Sequence, residues 1–235
     1  MPVDFAVLPT RKTGPAGPWV RRTKRLPVIV TISREYGAAG LAVAHGTARE
    51  LGYELLTDDL PRTVAARLGT TAAEVVARGS APLPLSERLL AGLGAGTAEL
   101  ISAAPPRHDP GDFEESVRRE IERTIRERSA RGSVVILGRM ASAVLAGTPA
   151  LLRVFLTAPR AWRVERIVET FGLTRGDAER EVDAIDPLRR RFAKERYRIA
   201  WGDPHFYDMI LDTSRFGIDG SVAVVVAAVR ACAPG

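Results

Sequence analysis

The stretch Ser33-Arg34-Glu35-Tyr36-Gly37-Ala38-Ala39-Gly40 has the residue types to hold a phosphate. Its small residues let backbone N–H groups approach an anion, and a helix starting at its end aims its positive pole at the same point. A complete phosphate loop reads G-x-x-x-x-G-K-[ST], with a lysine for the phosphates and a hydroxyl for magnesium. Here Leu41 follows Gly40, and no Ser or Thr comes next. On pattern alone the stretch reads either as a degenerate phosphate loop or as an ordinary strand-to-helix turn.

Several arginines have the chemistry to join such a site, because guanidinium forks match phosphate oxygens. Arg139 follows the apolar run 134–137, which places it at the site edge of a sheet or, more plainly, on the surface after a strand. Arg160, Arg163 and Arg166 recur every three residues, as on one helix face, and a second basic cluster runs from Arg189 to Arg198. Asp183 and Asp186 precede that cluster and offer ion-pair partners, so a solvated charged helix is the competing reading. Asp58 and Asp59 follow a short apolar run and suit either a helix cap or a ligand contact, and Arg62 lies just beyond them. Asp208 and Asp212 bracket another apolar run and suit turn-fixing or pairing with arginines. His45, His108 and His205 do not cluster, which argues against a histidine metal site or triad.

Positioning these residues requires alternating strands and helices. Residues 27–33 form a β-branched run of the kind buried on both faces. The pattern predicts strands at 53–56, 134–137, 151–156 and 208–211. It predicts helices at 41–51, closed by Gly52, and at 60–68, 85–103, 112–131, 141–145, 160–170, 177–197 and 221–232, with a break near Pro187. Val117, Ile121, Thr124, Ile125 and Ser129 mark the inner face of 112–131, and Thr71 with Glu74 forms a capping box. This alternation of short apolar strands with helices argues for an α/β fold: a three-layer sandwich around a central parallel sheet.

The 235 residues suffice for one large domain, and the 46% hydrophobic content suffices for its core. The net charge of +6 favours anionic partners. A single cysteine, Cys232, leaves no internal disulfide and fits a reducing, cytoplasmic setting. The longest apolar run, 222–229, is too short to span a bilayer, so no membrane association is expected. Residues 1–25, rich in Pro, Gly and basic side chains, read as a mobile basic tail preceding one domain over 26–235. A nucleic-acid partner is disfavoured, since no recognised module and no interleaved aromatics accompany the charge.

The run Val28-Ile29-Val30-Thr31-Ile32-Ser33-Arg34-Glu35-Tyr36-Gly37 resembles the opening of the cytidylate kinase-like family. Three further blocks fit in the same order. They are Val135-Ile136-Leu137-Gly138-Arg139, then Leu152-Arg153-Val154-Phe155-Leu156-Thr157-Ala158-Pro159, and finally Trp201-Gly202-Asp203-Pro204 with the residues from Tyr207 to Ser214. The resemblance spans roughly residues 27 to 232. It implies a P-loop NTPase-like kinase fold, ATP and Mg2+ as cofactors, and a nucleoside monophosphate such as CMP or dCMP as acceptor.

By the same resemblance, Ser33, Arg34, Tyr36, Gly37, Ala38, Ala39 and Gly40 hold the donor phosphates. Arg139, Arg62, Asp58 and Arg163 bind the acceptor. Asp186-Pro187-Leu188-Arg189 resembles a lid element, which makes Arg189 a catalytic finger beside Arg34. The acceptor region is expected at about 57–130 and the lid at about 160–200. Two departures stand out: Ala39 replaces a glycine, tolerable if its φ stays negative, and Leu41 replaces an arginine. They leave two functions open, a nucleoside monophosphate kinase or a nucleotide-binding regulatory module that does not turn over.

Overall fold

The computed structural model describes residues 28–57, 59–72, 74–75 and 110–232. The strands are β1 (Ile29–Arg34), β2 (Glu54–Leu56), β3 (Val134–Leu137), β4 (Leu151–Thr157) and β5 (Met209–Asp212). They form one five-stranded sheet in the order β2-β3-β1-β4-β5, with every pairing parallel. β1 is therefore central, in register with β3 (Ile32↔Leu137) and β4 (Ser33↔Phe155). That position explains its unbroken apolar run, since both of its faces are covered.

The helices are α1 (Gly40–Leu51), α2 (Asp59–Leu68), α3 (Pro110–Ser129), α4 (Ala141–Val144), α5 (Arg160–Phe171), α6 (Arg175–Tyr197) and α7 (Thr213–Cys232). Alternate strand residues serve opposite layers. Val30, Ile32, Val135 and Val154 pack with Val43 and Ala44 of α1 and with Val222, Val225 and Val229 of α7. Ile29, Val134 and Ile136 pack with Leu60 and Val64 of α2, with Val117, Ile121 and Ile125 of α3, and with Val144 of α4. Full burial of side chains such as Ile32 and Ile136 contributes about 1.5–3 kcal/mol each. The three-layer α/β sandwich expected from the sequence is the fold.

The elements begin and end close to the expected positions, with informative exceptions. α6 runs unbroken through Pro187. Buried Asp186 and Arg189 flank the proline and pin both adjoining turns, so the missing N–H does not end the helix. α7 begins at Thr213 rather than 221, with non-helical backbone at Gly217 (φ 66°, ψ −179°). Asp212 organises that start by accepting from the Ser214 N–H (2.9 Å) and hydroxyl (2.7 Å). The Thr71 hydroxyl accepts from the Glu74 N–H at 3.2 Å, one half of the capping box. The tail over 1–25, the helix over 85–103 and Asp58 lie outside the described residues.

The β4–β5 edge carries its own clamp. The Asp208 carboxylate accepts from the Arg153 N–H at 2.8 Å and from its guanidinium at 2.9 and 3.2 Å. The Asp208 N–H donates back to the Arg153 carbonyl at 2.9 Å. Asp208 thus pairs with a strand arginine rather than with the Arg-rich helix.

Candidate phosphate-binding site

Because β1 and β3 are neighbours in register, the segments that leave them meet at the carboxyl edge of the sheet, where ligands bind in open α/β sheets. From β1 comes the loop 35–39, and from β3 comes Gly138-Arg139-Met140. The Gly138 N–H donates to the Ile32 carbonyl at 2.9 Å, tying the two segments together.

The loop turns through Gly37 (φ 83°) and enters α1 from Ala39. Ala39 has φ 54° and ψ 22°, so the condition of negative φ at this position is not met. A left-handed alanine costs about 1–2 kcal/mol that glycine avoids. Ala39 makes no side-chain cap hydrogen bond, so the first N–H groups of α1, which adjoin the loop, are not capped by the N-cap residue.

Arg34 occupies the space that the glycines leave. A Cβ built on Gly40 would stand 2.6 Å from Arg34 Cγ, and one built on Gly138 would collide with Arg34 Nη1. The side chain therefore runs across the start of α1 and ends at the exit of β3. There, Gly138 (φ 70°), Arg139 (φ 54°) and Met140 (φ 53°) form three consecutive left-handed residues. Such backbone is strained for arginine and methionine, and strain of this kind collects at ligand sites. Arg139 is half-buried there, beside the loop.

Behind the loop, α5 and α6 form a hairpin that receives Tyr36. The Tyr36 ring packs among Val164, Ile167, Ala178, Val182 and Ile185, and its hydroxyl donates to Glu181. The Tyr36 N–H donates to Asp186 Oδ1 at 2.9 Å. Arg163 Nη1 donates to the Tyr36 carbonyl at 3.0 Å and to Asp186 Oδ2 at 2.6 Å, while its Nε donates to the Ala158 carbonyl at 3.0 Å. Arg189 donates to the Arg34 carbonyl at 3.2 Å and lies over the Tyr36 ring, 5.8 Å from its centroid. Glu35 Oε2 accepts from the Thr157 hydroxyl at 2.6 Å and from the Ala158 N–H at 3.3 Å. Burial pushes the Asp186 carboxyl above its ordinary range, while the Tyr36 N–H, Arg163 and Arg189 favour its charged form.

These contacts engage both arginines expected at the acceptor and the lid. Arg163 and Arg189 do not project over the mouth; they are 8% and 7% exposed and bonded to loop carbonyls. They position the loop from beneath, and the segment expected as a lid is anchored to it. Ser33 is also buried, its hydroxyl 3.3 Å from that of Ser142, which donates to Thr31 Oγ1 at 2.9 Å, so it supports the loop from inside. Arg62 stands exposed in the first turn of α2, at the same carboxyl edge. Leu41, at the start of α1, is 46% exposed. Asp186 and Glu181 reach Tyr36 across 150 and 145 positions of sequence, and no local pattern marks either contact. An open cleft of about 260 Å³ adjoins the loop, lined by Glu35, Thr157, Phe155, Trp201 and Arg190.

The loop fits a polyphosphate: it offers an uncapped helix start, close-approach glycines and a guanidinium laid across them. It does not fit a resident metal. Glu35 and Asp186 are engaged by protein donors, and among the described residues no three His, Cys, Asp or Glu side chains group to hold an ion.

Fold and site together define a P-loop NTPase-like α/β protein. Residues 29–215 match the cytidylate kinase-like family, and the chain belongs to it. It is similar to a cytidylate kinase of Natronomonas pharaonis, 29% identical over 209 residues, covering 88% of this chain and 92% of that protein. It is 32% identical over 118 residues to a cytidylate kinase of Methanopyrus kandleri, covering 47% of this chain and 61% of that one. The chain thus spans about six-tenths of the length of that relative and of several others it matches. Among solved structures, an uncharacterized protein of Eubacterium ventriosum superposes with a TM-score of 0.61 at 18% identity, covering 86% of this chain and 98% of that one. TT1252 of Thermus thermophilus gives 0.51 at 20% identity, covering 89% and 99%. Both likenesses concern the fold.

Proposed function

We propose that this chain transfers the γ-phosphoryl group of ATP to a nucleoside monophosphate, CMP or dCMP, in the cytoplasm. The observation that carries the reading is the course of Arg34 over Gly40 to Gly138. It lays a guanidinium between the end of the phosphate loop and the strand exit that bears Arg139. In phosphoryl transfer, an acceptor phosphate oxygen bonds to the γ-phosphorus as its bond to the β,γ-bridging oxygen breaks, and charge spreads over the transferring group. Arg34 offsets that charge, while the loop N–H groups and the start of α1 hold the donor chain. Arg139 and Arg62 approach the acceptor phosphate from the β3 and α2 side. Magnesium bound to the nucleotide would supply further charge neutralisation.

The names of the archaeal relatives support the acceptor class. Exposed Leu41, where the family's pattern has arginine, supports a second reading: a module that binds nucleotide without turnover. Titration calorimetry with MgATP and CMP, followed by a coupled assay over a panel of monophosphates, separates them. Turnover with CMP or dCMP establishes the kinase. Binding without turnover for any acceptor establishes the sensor, and no binding overturns both.

A further inference from the structure

The Tyr36 N–H belongs to the phosphate loop, yet it is turned away from the loop mouth and bonded to Asp186 in the middle of α6. Asp186 is 2% exposed and sits among basic and backbone donors from three elements. These are the Tyr36 N–H from the loop, Arg163 Nη1 from α5 at 2.6 Å, and Arg189 Nη1 one turn along α6 at 3.7 Å. Arg163 closes the circuit by donating to the carbonyl of Tyr36 itself. Both backbone polar groups of one loop residue are thus held by a single buried ion pair. The next residue, Gly37, lies flat on the Arg163 backbone: a Cβ there would stand 2.8 Å from the Arg163 carbonyl oxygen.

We infer that Asp186 is a positioning residue that sets the shape of the phosphate loop and joins it to the α5–α6 hairpin. A loop so short has few ways to aim its N–H groups, and the direction of the Tyr36 peptide decides where those of 37–39 point. With the Tyr36 ring inserted between the helices and its peptide clamped by Asp186 and Arg163, the hairpin cannot swing without turning the loop. A polyphosphate in the loop and a movement of the hairpin are therefore one event, whereas a surface lid moves over a rigid loop. The inference rests on the proposed kinase reading only for the identity of the ligand.

The test compares D186A, which removes the acceptor, with D186N, which keeps an oxygen for the Tyr36 N–H, and with D183A as a control on the exposed side of the same helix. Amide hydrogen exchange reads the loop directly, with no nucleotide present. Exchange at Tyr36 is expected to rise about tenfold or more in D186A, to rise less in D186N, whose amide keeps one acceptor but faces Arg163 with a donor, and to stay near the wild-type rate in D183A. Calorimetry then reads the consequence: MgATP binding weakens about tenfold in D186A while CMP binding is unchanged, and D186N restores part of the loss.

Unchanged Tyr36 exchange in D186A overturns the inference. So does a parallel loss of MgATP and CMP binding with no recovery in D186N, since that is the mark of a merely structural residue. Should wild type bind no MgATP, the kinase reading fails, and the exchange comparison still decides the role of Asp186. If D186A does not fold, R163K takes its place, because lysine keeps the charge but cannot span the same three acceptors. The same selective exchange and MgATP effects are then required.

Discussion

Arg34 lies across Gly40, with its Cγ 2.6 Å from where a Cβ on Gly40 would stand. The relationship makes a paired prediction. Arg34→Ala removes the guanidinium and is expected to lower turnover about 100-fold to 1000-fold, the usual effect of deleting one donor to developing charge. Gly40→Ala leaves Arg34 in the chain but evicts its side chain, and should fall in the same range. The added Cβ meets the near end of the Arg34 side chain at a buried position, so the melting temperature of Gly40→Ala should fall modestly while activity drops far more. Equal losses of stability and activity would show that Arg34 is not held there for chemistry.

Ala39 makes the opposite case. At φ 54° it is the N-cap of α1, and it provides no side-chain cap. Ala39→Gly relieves left-handed strain at the expense of a more flexible unfolded chain, and is expected to stabilise by about 1 kcal/mol. Thermal or denaturant unfolding checks it. An unchanged midpoint would mean that the surrounding loop relaxes to accommodate alanine.

Much of this architecture was legible in the residues, for local reasons. The β-branched run of β1 announces burial on both faces, and Gly52 stops α1 where left-handed backbone is required. The strand-loop-helix opening also announces where a phosphate would sit. The underside of the site was not legible. Tyr36 and Asp186 are 150 positions apart, and nothing in the local pattern of either says that they share a hydrogen bond. Arg163 and Arg189 have the spacing of lid arginines, and only the packed hairpin turns them beneath the loop. The left-handed backbone of Arg139 and Met140 was equally hidden, since neither residue type favours it.

Acid unfolding should report the clamp between β4 and β5. The Arg153 guanidinium, chiefly by hydrogen bonding, holds the Asp208 carboxyl below its ordinary 3.8. A carboxyl depressed by folding adds stability above its unfolded value and loses it as pH falls through the lower, folded value. Asp208→Asn should therefore destabilise at neutral pH and flatten the fall of the melting temperature below about pH 4. The side chain is 37% exposed, so solvent screening keeps the effect below about 1 kcal/mol. Wild-type and variant curves that remain parallel down to about pH 2.5 would assign the acid sensitivity to other carboxylates.

Leu41 offers a gain-of-function test of where the loop's positive charge resides. It is 46% exposed at the start of α1, so a longer polar side chain meets no packing penalty and should change stability by less than about 0.5 kcal/mol. Leu41→Arg places a second guanidinium beside the one that Arg34 already lays across Gly40. Near an uncapped helix start, a further cation opposes the helix dipole slightly in the free protein and attracts polyphosphate in the complex. If Arg34 supplies the loop's cation, the variant should bind MgATP only about threefold to tenfold tighter, with little change in turnover. If instead turnover appears only when arginine is restored at 41, then Arg34 does not act as the substitute, and the natural chain is a binding module.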